Sequence, residues 1–227
     1  MRQLSVIIPT LDAGQPLERA LTSVRAGDCD LVQEIIVSDG GSQDQTFQRA
    51  VSAGCVFVEG DSGRGNQLAR GAANAKGRWL LFIHADTCLS ENWGEQVRAF
   101  IEMQKNQDQA AVFKFALDDV SLRARVLESI VATRVRLLAL PYGDQGLLIS
   151  RAFYDRLGGF SPIPLMEDVE IVRKIGRARL HVLAAWAVTS ASRYIRDGYF
   201  KRIGKNAVCF GLYKLGASPH WLARFYN

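Results

Sequence analysis

Trp79-Leu80-Leu81-Phe82-Ile83-His84-Ala85-Asp86-Thr87 frames the rest of the chain: five apolar residues without alternation end in a histidine and a carboxylate two positions apart. An unbroken apolar run of this kind suits a strand covered on both faces, as in a parallel α/β sheet, whose ligands gather beyond the carboxyl ends of its strands. The period of two along a strand puts His84 and Asp86 on one side. An oxygen donor at Asp86 suits Mg²⁺ or Mn²⁺ carrying a phosphate, because hard cations take carboxylate, water and phosphate oxygens and need few protein ligands. The competing reading is that Asp86 caps the next helix.

On either side, short apolar runs alternate with helical segments. Leu4 to Ile8 is a β-branched run halted by Pro9-Thr10-Leu11-Asp12-Ala13-Gly14, and a helix is predicted over 16–25. Glu34-Ile35-Ile36-Val37-Ser38-Asp39-Gly40-Gly41-Ser42 repeats the pattern and leaves Asp39 at a second strand tip. Val56-Phe57-Val58 reads as a third strand, followed by Gly63-Arg64-Gly65-Asn66 and an alanine-rich helix to residue 75. Beyond Asp86 the pattern predicts a helix over 91–105, a strand over 111–115, a helix over 121–140, a strand over 147–149, a helix opening at Glu167-Asp168 and a last strand over 181–188. This alternation argues for a mostly parallel, doubly wound sheet. Leu122, Val126, Ile130 and Leu137 or Leu138 recur at helical spacing and are expected to pack on the core.

The 227 residues, 48% of them hydrophobic, form one expected domain over 1–227: a nucleotide-binding half over 1–88, an acceptor half over 89–190 and basic, aromatic C-terminal helices over 191–227. No linker or repeat divides the chain, and no apolar run approaches the roughly 20 residues of a membrane span. The N-terminal apolar run is too short for a signal peptide, so a cytoplasmic protein is expected. Cys29, Cys55, Cys88 and Cys209 are scattered and read as reduced structural thiols. A net charge of +5 favours anionic partners, but without a recognition motif or a dense basic run it does not argue for nucleic acid. Oligomeric state stays open.

The turn after the first strand lacks Gly-x-Gly-x-x-Gly, and no Gly-Lys-Ser/Thr loop exists, so dinucleotide and P-loop readings fall away. What remains is a sheet whose tips carry Asp39, Asp86 and Asp168, with glycines at 40, 41, 63 and 65 that allow close backbone approach. This set resembles family 2 glycosyltransferases of the GT-A fold, through Ser5-Val6-Ile7-Ile8-Pro9-Thr10, Val37-Ser38-Asp39-Gly40-Gly41-Ser42, Gly63-x-Gly65-Asn66, His84-Ala85-Asp86 and Glu167-Asp168. The resemblance implies an inverting enzyme using a UDP-sugar of glucose or N-acetylglucosamine type. Nucleotide contacts would come from Pro9, Thr10, Asp12, Asp39, Gly40, Gly65 and Asn66, metal ligation from Asp86 with His84, and catalysis from Asp168 with Glu167 beside it. Two departures stand out. The family's first acidic metal residue is His84 here, and its usual glutamate after Pro-Thr-Leu is replaced by Asp12-Ala13.

A narrower resemblance, carried by Gly65-Asn66-Gln67-Leu68-Ala69-Arg70, Pro141-Tyr142-Gly143-Asp144-Gln145-Gly146 and Pro164-Leu165-Met166-Glu167-Asp168, is to a bacterial subgroup associated with arsenosugar and selenosugar biosynthesis. It implies selenophosphate as an acceptor joined to the anomeric carbon, and so a small anionic acceptor in place of a hydroxyl one. Cations are then needed beside it. Arg70, Arg151, Arg193 and Arg196, with Asp144 and Gln145, are the candidate acceptor contacts. Aromatic and basic residues mix over 199–226, which also suits peripheral membrane contact and a lipid-linked acceptor such as a polyprenyl phosphate. Packing of Phe200, Ile203, Val208 and Leu212 on the domain is the simpler expectation there. Ala13 and His84 leave room for a third reading, a nucleotide-sugar-binding protein without catalysis.

Overall fold

The computed structural model describes residues 2–27 and 30–226, so Cys29 lies outside the described residues. In chain order the elements are β1 (Leu4–Thr10), α1 (Gly14–Ala26), β2 (Val32–Asp39), α2 (Thr46–Ser52), β3 (Val56–Glu59), α3 (Arg64–Asn74), β4 (Trp79–Phe82), β5 (Thr87–Leu89), α4 (Trp93–Glu102), β6 (Ala110–Leu117), α5 (Leu122–Leu138), β7 (Leu147–Ser150), α6 (Arg151–Arg156), α7 (Glu167–Ile175), β8 (Leu180–Thr189), α8 (Ser192–Asp197), α9 (Tyr199–Lys214) and α10 (Pro219–Tyr226). The strands make one sheet in the order β3-β2-β1-β4-β7-β6-β8-β5.

The central strands are covered on both faces, which is why they read as unbroken apolar runs, whereas β8 leaves Val182 and Trp186 exposed. Leu4, Val6 and Ile8 of β1 pack with Leu17, Leu21 and Val24 of α1 and with Trp93 and Val97 of α4. Ile7 points the other way, into a core with Leu68 and Ala72 of α3 and Ile171 and Val172 of α7. Strands β1 to β4 pair in parallel, as expected. The C-terminal half does not: β7 inserts between β4 and β6 and runs antiparallel to both, while β6 and β8 are parallel.

Three expectations are corrected. No helix follows Asp86 directly; β5 does, antiparallel to β8, so Asp86 is not a helix cap. In α5 the buried stripe is Ala124, Leu127, Val131 and Val135, whereas Leu122, Val126, Ile130, Leu137 and Leu138 are exposed. The residues that α5 meets are the rings of Tyr194 and Tyr199 and the side chains of Phe115 and Leu117, and against these bulky partners its smaller side chains fit. In the tail, Ile203 and Leu212 pack on the domain, but Phe200 and Val208 face solvent. The buried anchors there are Tyr199, Cys209 and Leu222. Among the described residues no helix is long and apolar enough to cross a membrane.

Candidate active site

The tips of β1 and β2 and the start of α3 form the first of two polar clusters. Asp39, 2% exposed, accepts from Thr10 Oγ1 (2.7 Å), Ser42 Oγ (2.5 Å), Ser42 N (2.7 Å) and Gly41 N (2.9 Å). Burial alone would raise its carboxyl, but these donors outweigh that and hold it below the usual carboxylate range. Gln67 Nε2 donates to the carbonyls of Thr10 and Ser38, tying the two strand tips together, and Arg70 Nη2 donates to the Asp39 carbonyl. Asp12 has a left-handed backbone (φ 49°) and accepts from Gln43 N, so the loop after β1 is locked to the loop after β2. Asp44 and Thr46 reach back to cap the N-terminus of α1 through Gly14 N and Ala13 N. Asn66 donates to the Ser62 carbonyl. Gly65 is required by packing: a Cβ there would lie 2.3 Å from the Ser161 carbonyl oxygen.

The second cluster lines a cavity of about 140 Å³ between the sheet tips and the C-terminal helices. His84, Asp86, Asp144, Asp168 and Arg193 all face it, joined by Arg64, Tyr142, Tyr194, Arg202 and Asn206. A hydrogen-bonded chain fixes their relative positions. Thr87, next to Asp86, meets Thr189 of β8 through their hydroxyls (2.9 Å), and the Thr189 hydroxyl donates to the Asp144 carbonyl (3.3 Å). Gly143 N then donates to Asp168 Oδ2 (2.8 Å), and Val169 N donates to Asp168 Oδ1 (2.7 Å). Gly143 leaves room for this closeness, since a Cβ there would sit 2.8 Å from His84 Nε2 and 3.4 Å from Asp168 Oδ2.

The cavity carboxylates are held differently from Asp39. Asp144 Oδ1 is buried without a hydrogen-bond partner. Burial pushes its carboxyl up to about 6, opposed by Arg134 and reinforced by the charges of Asp168 and Asp86. Glu167 is 1% exposed and paired with Arg64 (Nε to Oε1, 2.5 Å); its Oε2 has no hydrogen-bond partner. Burial pushes it up to about 7 against the pull of Arg64. It lies behind Asp168, in a small, mainly apolar cavity with Phe82, Phe160 and Ile171. His84 is driven down to about 3 by burial and by the Arg64 charge, so its ring is neutral at physiological pH.

The expected nucleotide residues therefore gather on one rim, and His84, Asp86, Asp144, Asp168 and Arg193 gather in the cavity beside it. The other expected acceptor residues lie elsewhere. Gln145 is 2% exposed and donates to the Phe113 carbonyl. Arg151 caps the C-terminal end of α3 through the carbonyls of Ala72, Ala75 and Gly77. Arg70 braces the β2 tip, and Arg196 pairs with Asp197 at the surface. Arg64, Tyr142, Arg202 and Asn206 were not singled out from the sequence; the position of Arg64 between Gly63 and Gly65 and that of Tyr142 before Gly143-Asp144 offered the signals. Cys55, Cys88 and Cys209 are free thiols, as expected, and Cys209 borders the cavity.

The donor set fits a hard divalent cation. Asp86, Asp144 and Asp168 offer carboxylate oxygens to one space, and Asp144 Oδ1 has no partner of its own. Among the described residues no three His, Cys, Asp or Glu side chains stand close enough to hold an ion by themselves. A cation here would complete its shell with water and phosphate oxygens, as Mg²⁺ and Mn²⁺ do in nucleotide sites.

Residues 5–156 match the family described as glycosyl transferase family 2. Glucosyl-3-phosphoglycerate synthase of Mycolicibacterium paratuberculosis is 33% identical over 94 residues, which cover 37% of this chain and 29% of that protein. The PGL/p-HBAD biosynthesis glycosyltransferase of Mycobacterium bovis is 34% identical over 112 residues, 46% of this chain and 43% of that protein. The chain thus matches less than half the length of these curated relatives. Its fold is shared with glucosyl-3-phosphoglycerate synthase from Mycobacterium tuberculosis in complex with Mn²⁺, UDP-glucose and phosphoglyceric acid (TM-score 0.59, 21% identity, 80% of this chain and 69% of that one). It is also shared with residues 1–349 of S. aureus TarS (TM-score 0.61, 17% identity, 83% of this chain and 58% of that one).

Proposed function

The chain belongs to glycosyl transferase family 2, and on that premise we propose that it moves a sugar from a UDP-sugar onto a small oxyanionic acceptor, with inversion at the anomeric carbon. One observation carries this reading: a single small cavity in which Asp86 and Asp168 face Arg64, Arg193 and Arg202. Uridine and ribose bind along the rim of Thr10, Asp12, Asp39, Gly40 and Asn66, and the diphosphate extends toward Arg64 and Asp86. Asp86, with Asp144 beside it, would hold a Mg²⁺ or Mn²⁺, which when bound would supply Lewis-acid stabilisation of the departing diphosphate. The acceptor's nucleophilic atom bonds to the anomeric carbon as the bond to the β-phosphate oxygen breaks, and the electron pair leaves with UDP.

At the acceptor end, Arg193 and Arg202 attract an oxyanion and the rings of Tyr142 and Tyr194 wall the space. Selenophosphate, which the narrower resemblance implies, has this chemistry, and so does the phosphate of a polyprenyl lipid. Burial removes Glu167 from the reacting atoms, and its part is to hold Arg64. Neutral His84 orients by hydrogen bonding and adds no charge. For a hydroxyl acceptor, Asp168 is the base.

The test is discharge of a panel of UDP-sugars with Mg²⁺ or Mn²⁺, offering selenophosphate, phosphorylated C3 acids, thiols, sugar hydroxyls and polyprenyl phosphate in separate arms. UDP release that depends on a water-soluble oxyanion supports the reading. Release only with polyprenyl phosphate moves the acceptor to a lipid, and UDP-sugar binding without release in any arm makes the protein a non-catalytic binder.

A further inference from the structure

We propose that the exposed stripe of α5 docks the protein on an anionic lipid surface, with the C-terminal helices packed beside it adding attractive charge. Leu122, Val126, Ile130 and Leu137 follow one another at helical spacing and are 79%, 49%, 48% and 60% exposed. Burying only the opposite stripe leaves α5 apolar on a face that no described element covers. The feature is concentrated: of the 19 large hydrophobics exposed among the described residues, twelve fall within 120–138 or 195–225. A soluble domain scatters such residues singly; an apolar stripe along one helix marks a contact surface.

Charge selects the occupant. The 17 residues of α5 contain four arginines and one glutamate, and that Glu128 is engaged by Leu117 N and by Arg125. Residues 192–226 contain seven Lys or Arg and one acid, Asp197, which is paired with Arg196 and Arg202. Because the whole chain is only +5, the remaining segments are net acidic and the positive field belongs to this side. A second copy meeting the first through α5 would set arginines against arginines. An anionic bilayer reverses that sign, and basic helices with exposed Leu, Ile, Phe and Trp are suited to lie in its interface.

The two regions form one packed unit. Ala124, Leu127 and Val131 of α5 share a core with Tyr194, Tyr199 and Ile203, and Tyr199 Oη donates to Asp119 Oδ2 (2.5 Å) just before α5 begins. Residues of α8 and α9 also line the cavity, so docking brings the acceptor side of the site near the bilayer. The exposed stripe of α5 itself contains no cavity residue, and the inference stands whichever acceptor is used.

Sedimentation with vesicles of phosphatidylcholine alone or mixed with phosphatidylglycerol tests it, using the whole chain. Binding is expected on the mixed vesicles, at least about tenfold weaker on phosphatidylcholine, and weakened by salt. The double variant V126E/I130E should lose binding by at least about tenfold while its thermal midpoint and UDP-sugar discharge stay unchanged; V51E on α2, at a side chain also half exposed, should bind as before. Three results overturn the proposal: no sedimentation at low salt, equal sedimentation of V126E/I130E, or a concentration-dependent dimer that V126E/I130E dissolves. If V126E/I130E unfolds, the polar pair V126S/I130S replaces it with the same criteria.

Discussion

Asp39 and Asp144 are both aspartates beside the carboxyl ends of strands, and they are held in opposite ways. Asp39 receives four hydrogen bonds, three from its own turn and one from Thr10 of β1, and is pulled below the usual carboxylate range; Asp144 keeps one buried oxygen without a partner and is pushed up to about 6. The first arrangement is complete without a ligand. The second is costly until something positive or protonated meets it, because a buried polar atom without a partner loses roughly 1 to 3 kcal/mol of solvation. The β1–β2 rim is therefore a finished scaffold that presents backbone and ribose-sized contacts, and the cavity is where binding energy remains to be gained.

The largest expected effect follows from that contrast. Asp86→Ala removes the carboxylate of the β4–β5 link from the cavity and should lower UDP-sugar turnover by about 10³-fold or more, since charge stabilisation of this kind is worth several kcal/mol. The fold should hold, because β5 is kept by its backbone pairing with β8 and by Thr87–Thr189. Calorimetry that finds metal-dependent UDP binding unchanged in the variant would break the assignment of Asp86 to the cation.

Asp168→Asn sharpens the question of the acceptor. A hydroxyl must lose a proton as it attacks, and removal of a positioned base costs about 10² to 10⁴ in rate. An acceptor that attacks through an already anionic atom, as selenophosphate does, needs no base, so its transfer should survive Asp168→Asn with a smaller loss, whereas Arg193→Ala should raise the KM for that acceptor. The asparagine still offers an acceptor oxygen to Gly143 N, which protects the local geometry. Hydroxyl transfer at full rate in Asp168→Asn would end the role of Asp168 as a base.

On the rim, Asp39→Ala separates scaffold from contact because two readouts move independently. Four donors lose their acceptor, so stability should fall by about 2 to 4 kcal/mol in denaturant unfolding. A contact to the nucleotide adds an increase of about tenfold to a hundredfold in the dissociation constant for UDP. Lower stability with an unchanged dissociation constant would make Asp39 purely a turn residue.

How much of this was legible before the structure depends on the range of the interaction. Local patterns placed β1 to β4 and their tips, since each parallel strand is an apolar run stopped by turn residues, and Asp86 and Asp168 were found where such tips converge. Partners distant in sequence were not legible. Nothing near Arg151 announces that its guanidinium closes the end of α3, some 75 residues earlier. The antiparallel insertion of β7 is equally hidden, because Leu147-Leu148-Ile149 reads the same in either direction. In α5 two apolar stripes compete, and bulk favoured the wrong one: the space against Tyr199 admits Ala124 and Val131, leaving Leu122 and Ile130 outside. Part of the cavity's cationic wall comes from Arg202 of α9, where sequence shows only a basic, aromatic tail.

The smallest expected effect concerns Glu167, which sits between the two regimes, ion-paired like a scaffold residue yet pushed up like a cavity one. Its folded-state value of about 7 lies above the ordinary 4.5 for glutamate. The native state thus holds its proton more tightly than the unfolded chain, and by linkage its contribution to stability falls as pH rises through the window from about 4.5 to 7. His84 works in the opposite direction: its folded value of about 3 lies below 6.5, so its contribution rises with pH and is complete only about a unit above 6.5. Between pH 6.5 and 8 the unfolded-state histidine finishes titrating and adds back about 0.4 kcal/mol against the roughly 0.8 kcal/mol lost from Glu167, so the wild type should lose about 0.4 kcal/mol, or about 1 °C in thermal midpoint. Glu167→Gln cannot ionise and should remove that loss while keeping an acceptor for Arg64. A wild-type midpoint that rises from pH 6.5 to 8, or a slope unchanged in Glu167→Gln, would mean that Arg64 holds Glu167 ionised throughout and that the ion pair is as complete as the turn around Asp39.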